Sequence, residues 1–214
     1  FDISTATLIS TTQLTEPGET DATFSFLPHA IEFKPDGTRM FVVRNTGTLV
    51  YQYDLSTAWD VSTISFSTKY DVSDENQLRS LTFKPDGSRM YVTGNENEKI
   101  KEYSLSTPWD VTTSNVTHVR DSVALTSTDN NPRNIQFSKE GTEFYYAGNG
   151  SNNMHKFTLS TAWDVSTLSS SATTFDLGDR VANMRGFIFT SSFSRLYVTN
   201  DNGKAAFNLS LIHI

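Results

Sequence analysis

Four basic side chains recur at one register of this sequence. His29, Arg79, Arg133 and Arg185 each stand four residues before an aromatic anchor, namely Phe33, Phe83, Phe137 and Phe189. Guanidinium groups gathered around one opening would draw in a carboxylate, a sulfate or a similar anion, because they offer paired N–H donors within a positive field. The rival reading is architectural. Each Arg then pairs with a loop carboxylate such as Asp74, Glu75, Asp129 or Asp179 and ties neighbouring segments together.

Three further sets invite chemistry. Trp59, Trp109 and Trp163 each precede an Asp in the same kind of turn. A repeated exposed indole could stack on sugar rings, whereas a buried one would pack neighbouring units. Asn95, Asn97, Asn149 and Asp201 lie in polar turns that suggest calcium, yet that ion takes roughly six or more oxygen ligands. Asn200-Asp201-Asn202-Gly203 is too short to supply them, and Asn-Gly turns are favoured hairpin connectors. Any calcium here would be structural, and neither a cofactor nor a catalytic metal is expected. His29, His118, His155 and His213 are scattered without a zinc-type His spacing. Ser25 near His29 is the one Ser–His pairing on the candidate surface, and abundant Ser makes it a weak signal. The residues alone therefore point to no enzyme. Acceptor triplets for glycosylation begin at Asn115, Asn149 and Asn208, but they are common in an Asn- and Ser-rich chain.

The elements that would position these residues repeat. LTFKPDGSRMYVTGNENEKIKEYSLSTPWDV begins at Leu81, with copies beginning at Ile31 and Ile135 and a fourth, decaying copy at Phe187. A period of roughly fifty residues signals a repeat architecture. Within the second copy, Leu81–Phe83 reads as a short strand, and Lys84-Pro85-Asp86-Gly87 as a turn in which Gly accepts a positive φ. Arg89–Thr93 reads as a strand covered on both faces, Lys99–Leu105 as a third strand, and the segment from Val111 onward as a fourth. In the last copy Thr190-Ser191-Ser192-Phe193 replaces the Gly turn, so a different turn is expected there.

Four antiparallel strands per repeat, buried inside and wet outside, describe a propeller blade. The fold expected is all-β: a four-bladed β-propeller forming a single domain over 1–214. Its repeats fall at about 26–75, 76–129, 130–180, and 181–214 plus 1–12. Phe1-Asp2-Ile3-Ser4-Thr5 resembles Trp59-Asp60-Val61-Ser62-Thr63, so the N-terminal strand is expected to complete the last blade and close the ring. A fragment of a larger ring, or strand exchange into a dimer or filament, are the alternatives.

Composition narrows the classes of function. The chain has 214 residues, a formal charge of -7 from 24 acidic and 17 basic residues, and 12% aromatics. That balance is opposite to what a phosphate-tracking surface needs, so no nucleic-acid partner is expected. Without Cys there is no disulfide framework and no thiol nucleophile. No apolar run approaches the roughly 20 residues of a membrane span, so no membrane insertion is expected. Phe1 leads directly into repeat-like sequence without a leader pattern, which reads as a mature or excised product.

Met40-Phe41-Val42, Met90-Tyr91-Val92-Thr93, Tyr197-Val198-Thr199-Asn200, the Asp36-Gly37 and Asp86-Gly87 turns and the three Trp-Asp-Val turns resemble the YVTN-type β-propeller family. They also look like the LST-x-WDVST repeats of surface and phage-associated proteins. The resemblance implies a propeller that is extracellular, on a cell surface or part of a virion. Some related propellers are lactonases, although fold analogy does not carry activity.

The expected function is accordingly a non-enzymatic binding or spacing module, monomeric or part of a larger assembly. A glycan, an anionic group or a surface protein would be held on the rim of His29, Arg79, Arg133, Arg185, Asn95, Asn97, Asn149 and Asp201. The anchors Phe33, Phe83, Phe137 and Phe189 and the three Trp residues are assigned to structure. Two alternatives stand beside this reading: a lactonase-like propeller hydrolase with a channel metal, and a strand-exchanging filament subunit.

Overall fold

A computed structural model describes residues 14, 28–44, 47–73, 75–125, 132–148, 153–177, 184–190, 193–200 and 206–210. It is all-β, built of antiparallel sheets. The first sheet is β1 (Pro28–Phe33), β2 (Arg39–Arg44), β3 (Leu49–Leu55) and β4 (Ile64–Asp71), hydrogen-bonded in that order. The second is β5 (Leu78–Phe83), β6 (Arg89–Gly94), β7 (Ile100–Leu105) and β8 (Val116–Asp121). The third is β9 (Pro132–Phe137), β10 (Glu143–Gly148), β11 (Asn153–Thr158) and β12 (Thr173–Asp176). The fourth, among the described residues, is β13 (Met184–Phe189), β14 (Arg195–Asn200) and β15 (Ala206–Ser210). Each connection is an antiparallel hairpin, so every sheet is a meander and the whole is propeller-like.

The expected four-bladed ring is shown only to this coarser level. The strand proposed to close it lies outside the described residues, and among the described residues no sheet closes. Leu14 packs against the first sheet beside Phe33, Tyr51 and Leu55.

Aromatic wedges hold the sheets side by side. Phe41 of the first sheet stands 4.5 Å from Phe83 and 6.2 Å from Trp109 of the second. Tyr91 repeats this against Phe137 at 4.5 Å and Trp163 at 6.4 Å. Each Trp adopts a left-handed backbone, with φ of 66°, 61° and 66° for Trp59, Trp109 and Trp163. That conformation is rare for a bulky residue. It is held because the Trp backbone N–H donates to the carbonyl of the turn glycine, at 3.0 Å from Trp109 to Gly87. The indole then lies across that glycine, so that a Cβ built at Gly37, Gly87 or Gly141 would overlap it.

The fourth sheet solves the same problem differently from the expected change of turn. Its hairpin keeps the hydrogen bonds of the others: Phe193 donates to Thr190 at 2.8 Å, as Gly87 does to Lys84 at 2.8 Å. Phe193 occupies the glycine position with φ 53°. Its own ring fills the place of the indole, 5.1 Å from Phe189 and 6.0 Å from Tyr145. Here one aromatic stands in for a Gly–Trp pair.

Polar links reinforce the wedges. Gln52 accepts from the Val111 N–H at 2.9 Å, and Glu102, in the same position one repeat on, accepts from Val165 at 3.3 Å. Arg39 donates to the Trp109 carbonyl at 2.7 Å, and Tyr91 to that of Trp163 at 2.8 Å. Arg120 bridges to Asp164.

The first sheet is the exception. Trp59 meets Phe33 at 5.5 Å but is 58% exposed, against 7% for Trp109. Two indoles of the same motif therefore differ in burial. Trp109→Ala should cost about 3–5 kcal/mol and Gly87→Ala about 3 kcal/mol, whereas Trp59→Ala should cost no more than about 1 kcal/mol. Urea unfolding measures all three, and equal losses at Trp59 and Trp109 would contradict this packing.

Candidate active site

The four basic residues stand at one kind of backbone irregularity. On β1, Pro28 faces Arg44 and Ala30 faces Val43, which leaves His29 as the extra residue of a β-bulge. The same skip leaves out Arg79 between Leu78 and Ser80, Arg133 between Pro132 and Asn134, and Arg185 between Met184 and Gly186. By strict alternation Arg79 would share a face with Leu81 and Phe83, which are buried. The bulge breaks that alternation and re-aims the side chain, the common use of bulges beside active sites.

The cluster is electrostatically coupled. Nη1 of Arg79 lies 3.1 Å from both ring nitrogens of His29, and its Nη2 donates to Gln77 Oε1 at 2.8 Å. Burial, then the positive charges of Arg79, Arg133 and Arg185, hold His29 down to about 4. The imidazole is therefore neutral at physiological pH and accepts from the guanidinium. Burial and the two neighbouring guanidiniums also lower Arg79, to about 10. Three cations thus stand close enough to one neutral His to act on it electrostatically. Of the carboxylates offered as Arg partners, Glu75 accepts from the backbone N–H groups of Glu96 at 2.7 Å and Asn97 at 3.4 Å, while Asp74, Asp129 and Asp179 lie outside the described residues.

A cavity of about 420 Å³ runs inward from His29 and Arg185 past Glu32, Thr82 and Gln136. A second, of about 630 Å³, opens at the other end between Trp109, Trp163, Phe193 and Lys139. Glu32, Thr82 and Gln136 line both and so mark the waist between them. Burial pushes the Glu32 carboxyl up to about 7.

Of the other expected rim residues, Asn95 donates to Gln77 at 3.3 Å and Asn97 donates its backbone N–H to Glu75, while Asn149 and Asp201 lie outside the described residues. His118 pairs with Asp121 on β8, and His155 is buried on β11 against Thr174. Neither lines the two cavities. Among the described residues no group of three or more His, Asp or Glu is placed to hold a metal.

A propeller-like chain with basic residues beside one cavity and a half-buried acid at its waist is the class these features define. Residues 3–207 match the family described as Lactonase, 7-bladed beta-propeller, and the chain belongs to it. No curated protein matches the sequence. Among solved structures, a Bacteroides uniformis protein provisionally assigned as a 6-phosphogluconolactonase aligns at 17% identity and TM-score 0.60, covering 86% of this chain and 50% of that one. The periplasmic gluconolactonase of Pseudomonas aeruginosa aligns at 13% identity and TM-score 0.52, over 71% of this chain and 40% of that one. Hydrazine synthase of Kuenenia stuttgartiensis aligns at 16% and 0.57, over 92% and 49%. The chain spans about half the length of these structures, and at such identities the likeness shows the fold alone.

Family membership corrects three expectations. The YVTN and LST-x-WDVST resemblance gives way to the lactonase family. The expectation of a non-enzymatic binding or spacing module, and with it of no enzyme activity, is contradicted by membership of a family described as a lactonase. The shared PDG and WDV turns are scaffold chemistry common to many propellers, which is why they misdirected the family assignment. Sequence reading also passed over Glu32. Counting one residue back from each anchor gives Glu32, Thr82, Gln136 and Ile188, a single acid among neutral residues.

Because the folded His29 titrates near 4 rather than 6.5, the unfolded chain binds more protons between those values. Its contribution to stability is therefore present above pH 6.5 and is lost as pH falls through 4. His29→Gln should melt with a shallower acid-side decline than the wild type over this window in pH-resolved calorimetry. Parallel curves would show that His29 is not held neutral.

Proposed function

We propose that the chain hydrolyses lactones that carry a negatively charged group, with the bulged basic residues as the anion clamp. The observation that carries this reading is the grouping of Arg79, Arg133 and Arg185, each at the same bulge, around His29, which with Arg185 lines a cavity in a lactonase-family propeller. Guanidiniums bind carboxylate or phosphate through paired, charge-assisted N–H donors. His29, neutral beside Arg79, adds a hydrogen-bonding group without a further charge. The 6-phosphogluconolactonase and gluconolactonase assignments of similar structures favour a sugar-acid lactone, phosphorylated or carboxylated.

The four-bladed arrangement closed by residues 1–12 belongs to this proposal. Its ring is supported by His29 of β1 and Arg185 of β13 lining one cavity, which sets the first sheet beside the fourth; the closing strand lies outside the described residues.

Hydrolysis of phosphorylated and neutral lactones of the same ring size, followed by pH-stat, tests the clamp. Arg133→Gln and Arg185→Gln should each raise KM for the anionic substrate about 10-fold to 100-fold, the worth of a hydrogen bond to a charged group. KM for the neutral lactone should stay within about twofold if the clamp acts only on the charge. Indifference of both substrates to both variants would refute the clamp, and the absence of any lactone turnover would refute the activity.

A further inference from the structure

Resting on that reading, we infer that Glu32 is the catalytic base of ring opening, with Thr82 and Gln136 as the hydrogen-bond donors that face it across the channel waist. The inference starts from a break in the repeat. The position before each anchor Phe is Thr82 on β5, Gln136 on β9 and Ile188 on β13, so one carboxylate stands among neutral neighbours. Nothing in the packing of a blade calls for an acid there, since three sheets form without one.

Geometry gives Glu32 access from both ends, because it lines the cavity of about 420 Å³ and that of about 630 Å³. It lies three residues along β1 from the bulged His29, which at the rise of an extended strand is about 10 Å. An anion held in the basic layer therefore leaves the body of a small lactone at the waist. Gln136 is oriented as a donor, because its Oε1 already accepts from the Phe189 N–H at 3.0 Å and leaves the amide N–H groups for a ligand. Thr82 adds a hydroxyl on the same lining.

In the step, Glu32 takes a proton from water as the water oxygen bonds to the lactone carbonyl carbon. The carbonyl oxygen becomes an oxyanion that Gln136 and Thr82 stabilise as donors. The ring C–O bond then breaks, and the proton returns from Glu32 to the leaving alkoxide. Lactone and water become a hydroxy acid, and the carboxylate is regenerated. Burial supports this role by moving the carboxyl up to about 7, where a base works best near neutral pH. The ionisable groups on its two cavities are the neutral His29 and Arg185 at one mouth, with Arg79 and Arg133 coupled to His29 behind them, and Lys139 at the other. On the neighbouring β2, Arg39 pairs with Asp54 at 3.0 Å and Arg44 lies over the Tyr51 ring at 5.4 Å.

Steady-state kinetics of Glu32→Gln on a phosphorylated lactone are the test. The variant removes one ionisable group without changing volume. It should lose about 100-fold or more in kcat, with KM within about twofold, and should lose the limb near pH 7 in kcat/KM. Glu32→Asp should recover part of the rate. Circular dichroism should show Glu32→Gln folded. Above pH 7 it should melt no lower than the wild type, which alone must ionise a carboxyl held above its ordinary range there. An unchanged kcat, or a loss confined to KM, overturns the role of Glu32 while leaving the lactonase reading intact. A wild-type protein that opens no lactone overturns both.

Discussion

The structure depends on a three-ring wedge between adjacent sheets. A ring on the second strand of one sheet enters between the anchor Phe and the turn aromatic of the next, as Phe41 does with Phe83 and Trp109. The wedge fixes the side-by-side position of the inner strands, and the inner strands carry the channel. Its geometric condition is an unusual one, a Trp in left-handed backbone lying over a glycine. Both halves of the pair are needed, because a Cβ on the glycine would occupy the space of the ring. The fourth sheet shows that the ring matters rather than its source. Phe193 stands at the glycine position, accepts the positive φ itself, and sends its own side chain into the gap.

With the inner strands fixed, the channel chemistry is set by a bulge repeated four times. An ordinary strand would place the residue four before the anchor on the packing face, against the apolar Leu81 or Phe83. One extra residue per strand turns it out of that face. The cost is one broken rung of ladder per sheet. In return the protein gathers three guanidiniums closely enough that each depresses the neighbouring imidazole.

The repeat register, the hairpins and the burial of the anchors Phe83, Phe137 and Phe189 were legible because each is written as a local pattern repeated three or four times. Position four before the anchor was legible for the same reason. The bulge was not, since it is a property of two paired strands and leaves no mark in one. Glu32 was hidden by its neighbours: Ile31-Glu32-Phe33 alternates like any strand with a wet outer face, and a water-lined channel produces the same alternation as open solvent. The turn at Phe193 was misjudged because a missing glycine normally means a changed backbone, whereas here a bulky residue keeps the backbone and supplies the ring. The family was misread because its commonest local signatures are scaffold turns.

The repeat departs most from itself on β1. This strand carries His29 where the others carry Arg, and Glu32 where the others carry neutral residues. It also belongs to the sheet whose Trp59 no ring of a preceding sheet covers among the described residues, and its Ile31 is 50% exposed where Leu81 is buried. Ile31 lines the same cavity as Phe187 and Thr199 of the fourth sheet, so the basic mouth extends into the space between first and fourth sheets. A repeat protein under selection for packing alone would keep its blades alike, since each must satisfy the same neighbours. Here one inner strand carries an imidazole in place of a guanidinium and a half-buried acid in place of a neutral residue, differences that packing against like neighbours does not require. The asymmetry of β1, more than the number of cations around the mouth, is the feature on which the proposed catalytic role of this strand rests.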